Sequence, residues 1–98
     1  MAEIYYAKNV EAFYGDTKLP TTTEELLKNY GKVCTINETN EDKIFSLLNY
    51  NPRKFIEYPL PSGVTHTSMS VGDIVKRGNK VSICRMVGWE KSELKEEK

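Results

Sequence analysis

The residues best equipped for chemistry lie together in the run His66-Thr67-Ser68-Met69-Ser70-Val71-Gly72-Asp73. Ser68 or Ser70 as nucleophile, His66 as base and Asp73 as orienting carboxylate would supply the residue types of an acyl-transfer triad. Their spacing opposes that use, because neighbouring side chains of an extended chain alternate between faces and no glycine-flanked nucleophile elbow is present. His66 is the only histidine, and Cys34 and Cys84 each stand in an apolar stretch without a C-x-x-C neighbour. The sequence therefore predicts no metal centre, no redox motif, no catalytic residue and no cofactor; the two cysteines read as reduced core thiols. The run reads instead as a structural turn motif of His66, Thr67, Ser68, Ser70, Gly72 and Asp73. Gly72 takes the left-handed position, and Asp73 or Ser70 accepts bonds from nearby amides. On this reading Gly72→Val strains the turn, whereas His66→Ala removes a replaceable polar group, so the first change is expected to destabilise more.

A second chemistry available to these residues is anion binding. Hydroxyls and amides around Gly72 could cradle a phosphate, and Lys76, Arg77, Lys80 and Arg85 follow as candidate nucleic-acid-binding cations. Tyr50, Phe55, Tyr58 and Trp89 are available for stacking, although aromatics in so small a domain more often serve the core. No G-x-x-x-x-G-K pattern occurs, which excludes a nucleotide-hydrolysing loop of that kind. Residues 1–49 carry five basic and eight acidic side chains, residues 50–89 six and two, and residues 90–98 three and four. The cationic excess of the middle stretch suits a polyanion, but such an excess also occurs on ordinary solvated faces.

The elements that must position these residues can be read from pattern. Ile4–Ala7 and Ala12–Tyr14 are rich in strand formers, with a turn at Gly15-Asp16. Thr22 stands three residues before Glu25 as in a capping box, and Leu26, Leu27 and Tyr30 follow at helical spacing until Gly31. Lys32–Ile36 reads as a strand. Asn40 caps a second helix whose Ile44, Leu47 and Leu48 share a face, and Pro52 ends it. Phe55–Tyr58 is a strand candidate, and Pro59–Gly63 a link. Asp73–Lys76 and Val81–Val87, separated by Gly78-Asn79, make a hairpin that Gly88-Trp89 closes.

The run His66 to Val75, followed after the hairpin by Gly88-Trp89, resembles the C-terminal signature of the YodL-like domains and related small uncharacterised proteins of phages, plasmids and archaeal mobile elements. Those proteins carry, in order, a short helix, a polar or Pro-rich link, an H-(T/S)-(S/M)-S-V-(G/S)-D-(I/V)-V stretch, a hairpin and a final Gly plus aromatic. The corresponding parts here run from Asp42 to Trp89, roughly half the chain, and nothing similar covers residues 1–40. The resemblance implies a mobile-element or viral accessory protein and brings no activity or ligand with it. Many such proteins occupy a host protein's surface, inhibitors of host defence among them.

With 98 residues, 39% apolar and 29% charged, the chain has room for one modest core, since a domain this small buries about 60–65% of its unfolded surface. No apolar run is long enough to span a membrane and no signal-peptide pattern opens the chain, so a cytoplasmic protein is expected, in the host cell if viral. The fold expected is α+β: two short helices on a curled, mainly antiparallel sheet of four to six strands with a C-terminal β-hairpin. A last strand apolar on both sides would be covered on both faces or rolled into a small barrel. Residues 1–89 form the domain and residues 90–98 a charged, disordered tail. The predicted core comprises Ile4, Tyr6, Phe13, Leu26, Leu27, Val33, Cys34, Ile36, Ile44, Leu47, Leu48, Ile56, Met69, Val71, Ile74, Val75, Ile83, Cys84 and Trp89. Not an enzyme, the protein is expected to act by stoichiometric binding to a host or viral protein, as a monomer or homodimer, with nucleic-acid binding through the basic hairpin as the alternative.

Overall fold

The structure, a computed structural model, describes residues 1–8 and 20–95. The chain opens with β1 (Ala2–Ala7). The expected strand Ala12–Tyr14, its Gly15-Asp16 turn and the core residue Phe13 lie outside the described residues. Helix α1 (Thr23–Asn29) begins where the capping pattern places it. Thr22 Oγ1 accepts from Glu25 N at 3.1 Å, and the Glu25 carboxylate reaches back to Thr21 N, also at 3.1 Å. Tyr30 then leaves helical geometry and starts β2 (Tyr30–Ile36) with no loop between. Gly31 is thus a strand residue, not the helix stop the sequence suggests. A Cβ there would lie 2.5 Å from Cβ of Pro61, so the glycine serves the close approach of the Pro-rich link to the strand.

Asn40 caps α2 (Glu41–Tyr50) through its side-chain oxygen, with Ile44 and Leu48 buried beneath. The expected strand at Phe55–Tyr58 is replaced by a third short helix, α3 (Pro52–Phe55). Pro52 breaks α2 but also opens α3, since a proline at the first helical position gives up an amide that has no helical partner anyway. Ile56 then turns extended, and Glu57 N donates to Val33 O at 2.9 Å, covering part of the β2 edge.

The sheet is completed by β3 (Ile74–Arg77), β4 (Lys80–Cys84) and β5 (Trp89–Glu93) in the order β2-β1-β3-β4-β5, every neighbouring pair antiparallel. The architecture is α+β with an open sheet; it is not a barrel. The two-residue turn Gly78-Asn79 joins β3 to β4, with Gly78 at φ +59° as a tight hairpin requires. Gly88 does not close the last strand. It sits at φ +73° in a second turn, closed by Arg85 N to Gly88 O at 3.1 Å, and the residues expected as tail form β5. Leu94 beyond it is 4% exposed. Leu94 N donates to Asn79 O and Lys95 N to Thr21 O, each at 2.7 Å. The lead-in to α1 therefore occupies the far end of the β5 edge, and Glu90, Lys91 and Glu93 charge the rest, two devices that discourage edge-to-edge pairing.

Both faces of the sheet are covered. Ala2, Ile4, Tyr6 and Val75 pack with Val33, Ile44, Leu48, Ile56, Val64 and Met69, while the alternating Tyr5, Ala7 and Ile74 pack with Leu26, Tyr30, Val81, Ile83 and Leu94. Leu27 and Val71, expected in the core, are exposed, and Leu47 and Trp89 are only partly covered. Leu27 follows Leu26 directly on a two-turn helix, and only one of two adjacent helical positions can face the sheet. No helix among the described residues is long and apolar enough to cross a membrane.

Candidate functional site

The turn motif is organised by Asp73, whose side chain is 1% exposed. The β1–β3 ladder runs Glu3↔Lys76, Ile4↔Val75 and Tyr5↔Ile74 and stops there. Asp73 continues it with its side chain: Oδ1 accepts from Ala7 N at 2.8 Å, serving the last amide of β1. Oδ2 accepts from Ser70 N at 2.8 Å, while Asp73 N donates to Ser70 O at 3.0 Å, so the Ser70–Asp73 turn is closed twice. Gly72 takes φ +97° and donates its amide to Cys84 O at 2.7 Å, docking the turn on the end of β4.

His66 completes the cluster. Its Nε2 lies 2.8 Å from Asp73 Oδ2, and its ring stacks on Tyr6 with centroids 4.6 Å apart and planes at 9°. The Tyr6 hydroxyl donates to Thr67 O at 2.9 Å. Burial pushes the Asp73 carboxyl up, against the His66, Ala7 and Ser70 bonds, which favour its ionised form. Burial likewise raises the Tyr6 hydroxyl, with the Asp73 charge adding to it.

The geometry brings His66 and Asp73 together but does not assemble a triad. His66 Nδ1 is buried with no hydrogen-bond partner among the described residues, so neither the Ser68 nor the Ser70 hydroxyl engages the nitrogen a nucleophile would need. Ser70 Oγ instead points to Ser68 O at 3.4 Å. Burial pushes the Cys34 thiol up to about 12 and raises Cys84 as well, which keeps both as unreactive core thiols. Among the described residues no group of three or more His, Cys, Asp or Glu side chains could hold a metal.

The four candidate nucleic-acid cations do not share a face. Lys76 and Arg77 alternate across the sheet. Lys76 Nζ sits 3.0 Å from Glu3 Oε1, beside Lys32 at 3.2 Å from Glu3 Oε2. On the other face Arg77 Nη1 meets Glu41 Oε1 at 2.6 Å, and its Nη2 donates to Glu38 O at 3.2 Å. Arg85 pairs with Glu90 at 2.8 Å. Only Lys80, at the hairpin turn, makes no ion pair among the described residues. The charge asymmetry of the sequence is thus partly spent inside the fold, where Lys76 and Arg77 of the basic hairpin face Glu3 and Glu41 of the acidic N-terminal half.

One pairing carries a pH signature. Lys76 and then Lys32 hold the Glu3 carboxyl below its ordinary value of 4.5, more than burial raises it. The unfolded chain therefore binds the proton more readily, and Glu3 contributes stability above about pH 4.5 that is lost as pH falls through its lower folded value. Glu3→Gln is expected to cost roughly 0.5–1 kcal/mol at pH 7, the range for a partly exposed pair. It should also flatten the acid limb of a stability–pH profile measured by urea melts; an unchanged limb would contradict the assignment.

Pattern reading missed an exposed apolar patch at the opposite end of β4. Met86 and Val87, at the centre of the β4–β5 turn, are 91% and 92% exposed. Val71, 51% exposed, belongs to the turn that the Gly72–Cys84 bond ties to the end of β4. On α2, Trp89 Nε1 donates to Asp42 Oδ1 at 3.0 Å and Asn49 Nδ2 donates to Met69 O at 3.1 Å, and exposed Phe45 lies one helical turn from each anchored residue. The missed signal was Met-Val directly before Gly88, where a turn ordinarily takes polar residues. No family model, curated protein or solved structure matches the chain.

Proposed function

We propose that this protein is a binding module that acts by occupying the surface of a partner protein, with the β4–β5 turn and its surroundings as the contact face. The observation that carries this reading is the nearly complete exposure of Met86 and Val87, adjacent apolar side chains held on a short closed turn. Burying such side chains on association is worth about 1.5–3 kcal/mol each, and a contiguous apolar patch that the fold leaves in water is the usual mark of an interaction site. Val71 and Phe45 are further exposed apolar side chains on elements hydrogen-bonded to this end of the sheet, and the turn's closure reduces the entropy lost on binding. The resemblance of His66–Val75 to YodL-like domains favours a mobile-element or viral setting, in which the partner is a host or viral protein and inhibition of host defence is one form of the same activity. Nucleic-acid binding through the hairpin has weaker support, because Lys76, Arg77 and Arg85 already face carboxylates.

The test is the pair Met86→Asp and Val87→Asp introduced together. Both sites are exposed, so thermal stability should change by less than about 0.5 kcal/mol. The stoichiometric complex recovered with the wild-type chain from a relevant host lysate should be lost, while Lys80→Ala, away from the patch, retains it. Equal recovery with both variants would reject this face as the contact surface.

A further inference from the structure

Next to α2's first turn, an open pocket of about 390 Å³ lies against the β3–β5 face, its lining including Glu41, Arg77, Lys80, Ser82, Lys91 and Glu93. Register explains its charge. Arg77 stands directly opposite Lys80, Lys80 opposite Glu93, and Ser82 opposite Lys91, so three cations from three adjacent strands share one face. Like charges opposite one another across a ladder are unfavourable. Glu41 relieves one side of this: its Oε1 takes Arg77, while its Oε2 accepts from Ser82 Oγ at 3.2 Å and lies 3.6 Å from Lys91 Nζ. This arrangement already holds one carboxylate by a guanidinium, a hydroxyl and an ammonium, the donor set that recognises oxyanions.

Lys80 makes no ion pair among the described residues, and Lys91 has only its long contact to Glu41. Counting Glu41 and Glu93 against Arg77, Lys80 and Lys91, the lining retains one net positive charge. We propose that this pocket is a low-affinity site for the phosphate group of a phosphate ester, held between Lys80 and Lys91 over the Arg77–Glu41–Ser82 floor. Its volume falls at the lower end of the range of small-molecule sites. Lys91 belongs to the stretch that sequence pattern assigns to the tail, so the site exists only once β5 has paired. The proposal is independent of the apolar contact face.

The experiment is a ¹⁵N-edited NMR titration of the full chain with inorganic phosphate, a nucleoside monophosphate and a single-stranded oligonucleotide, at low and at near-physiological salt. Saturable, salt-sensitive shifts are expected at the amides of residues 80–82 and 91–93, with affinity reduced about 10-fold or more in Lys80→Ala/Lys91→Ala. Both replaced side chains are exposed, so the fold should persist and the variant's unshifted spectrum reports on that. Glu93→Gln should tighten binding, because it removes a negative charge from the rim. Oligonucleotide binding to the same amides more tightly than the monophosphate would identify a polymer as the source of the phosphate, and equal or weaker binding a small ester; either supports the site. Absence of saturable shifts at millimolar phosphate, or shifts unchanged in the double variant, would overturn it.

Discussion

Asp73→Ala is expected to cost about 3–5 kcal/mol, because each buried polar group left without its hydrogen-bond partner costs about 1–3 kcal/mol and this carboxylate serves several at once. A domain of this size has roughly 5–15 kcal/mol to lose. The loss has three parts: Ala7 N and Ser70 N are left without acceptors at the end of β1 and in the turn, and His66 loses its partner. Asp73→Asn keeps the volume and an acceptor for Ala7. It sets an NH₂ group against the Ser70 amide and His66, so about 2 kcal/mol is expected for stranded donors. Urea denaturation at pH 7 reads both, as a lower midpoint with an unchanged slope. A midpoint for Asp73→Ala within about 1 kcal/mol of wild type would mean that the carboxylate does not organise this corner.

The same geometry revises the relative weight of its neighbours. Pattern alone ranks Gly72→Val as more damaging than His66→Ala. Gly72 does sit at φ +97°, where a side chain costs about 1–3 kcal/mol of backbone strain. His66, however, is not a replaceable polar group. Its removal takes one of the bonds to a buried carboxylate and a ring stacked on Tyr6, the stack alone worth about 0.5–1.5 kcal/mol. The two variants should therefore destabilise to a comparable degree in parallel melts.

Deletion of residues 90–98 is expected to abolish cooperative folding. It removes all of β5 but its first residue and strips β4 of its partner from Lys80 to Ile83. It also uncovers the pocket left by Leu94, whose burial is worth about 1.5–3 kcal/mol. The Arg85–Glu90 pair and the Lys95–Thr21 bond that ties the C-terminal stretch to the start of α1 are lost with it. Leu94→Ala isolates the packing part and should cost about 2–4 kcal/mol. Circular dichroism melts distinguish the outcomes: a truncated chain that unfolds at the wild-type midpoint would show that β5 is dispensable.

The stretch removed by that deletion carries no pattern that announces a strand. Residues 90–98 contain Glu90, Lys91, Glu93, Lys95, Glu96, Glu97 and Lys98, a composition that pattern assigns to solvent. β5 is nonetheless an edge strand, exposed over much of its length, and such a strand carries no apolar alternation to announce it. Among the described residues of the stretch from Glu90 on, the buried side chain is Leu94, just beyond the strand, one apolar residue among charges. The turn at Met86 and Val87 is hidden for the same reason: pattern continues both residues into the preceding strand, whereas they form the turn before β5.

What the sequence by itself determined is local. The Thr22 and Asn40 caps, the Gly78-Asn79 turn, the buried faces of β1, β4 and α2 and the tight turn at Gly72 all follow from interactions within a few residues, where residue type and spacing specify geometry. What the tertiary structure alone decided spans long stretches of chain. Glu3 finds Lys76 across 73 residues, Asp73 finds Ala7 across 66, and Glu41 finds Ser82 across 41. Which carboxylate neutralises which cation, which side chain completes a ladder and which apolar residues remain in water depend on sheet order and strand register. Those are set by the simultaneous burial of both sheet faces, and no single segment carries that information.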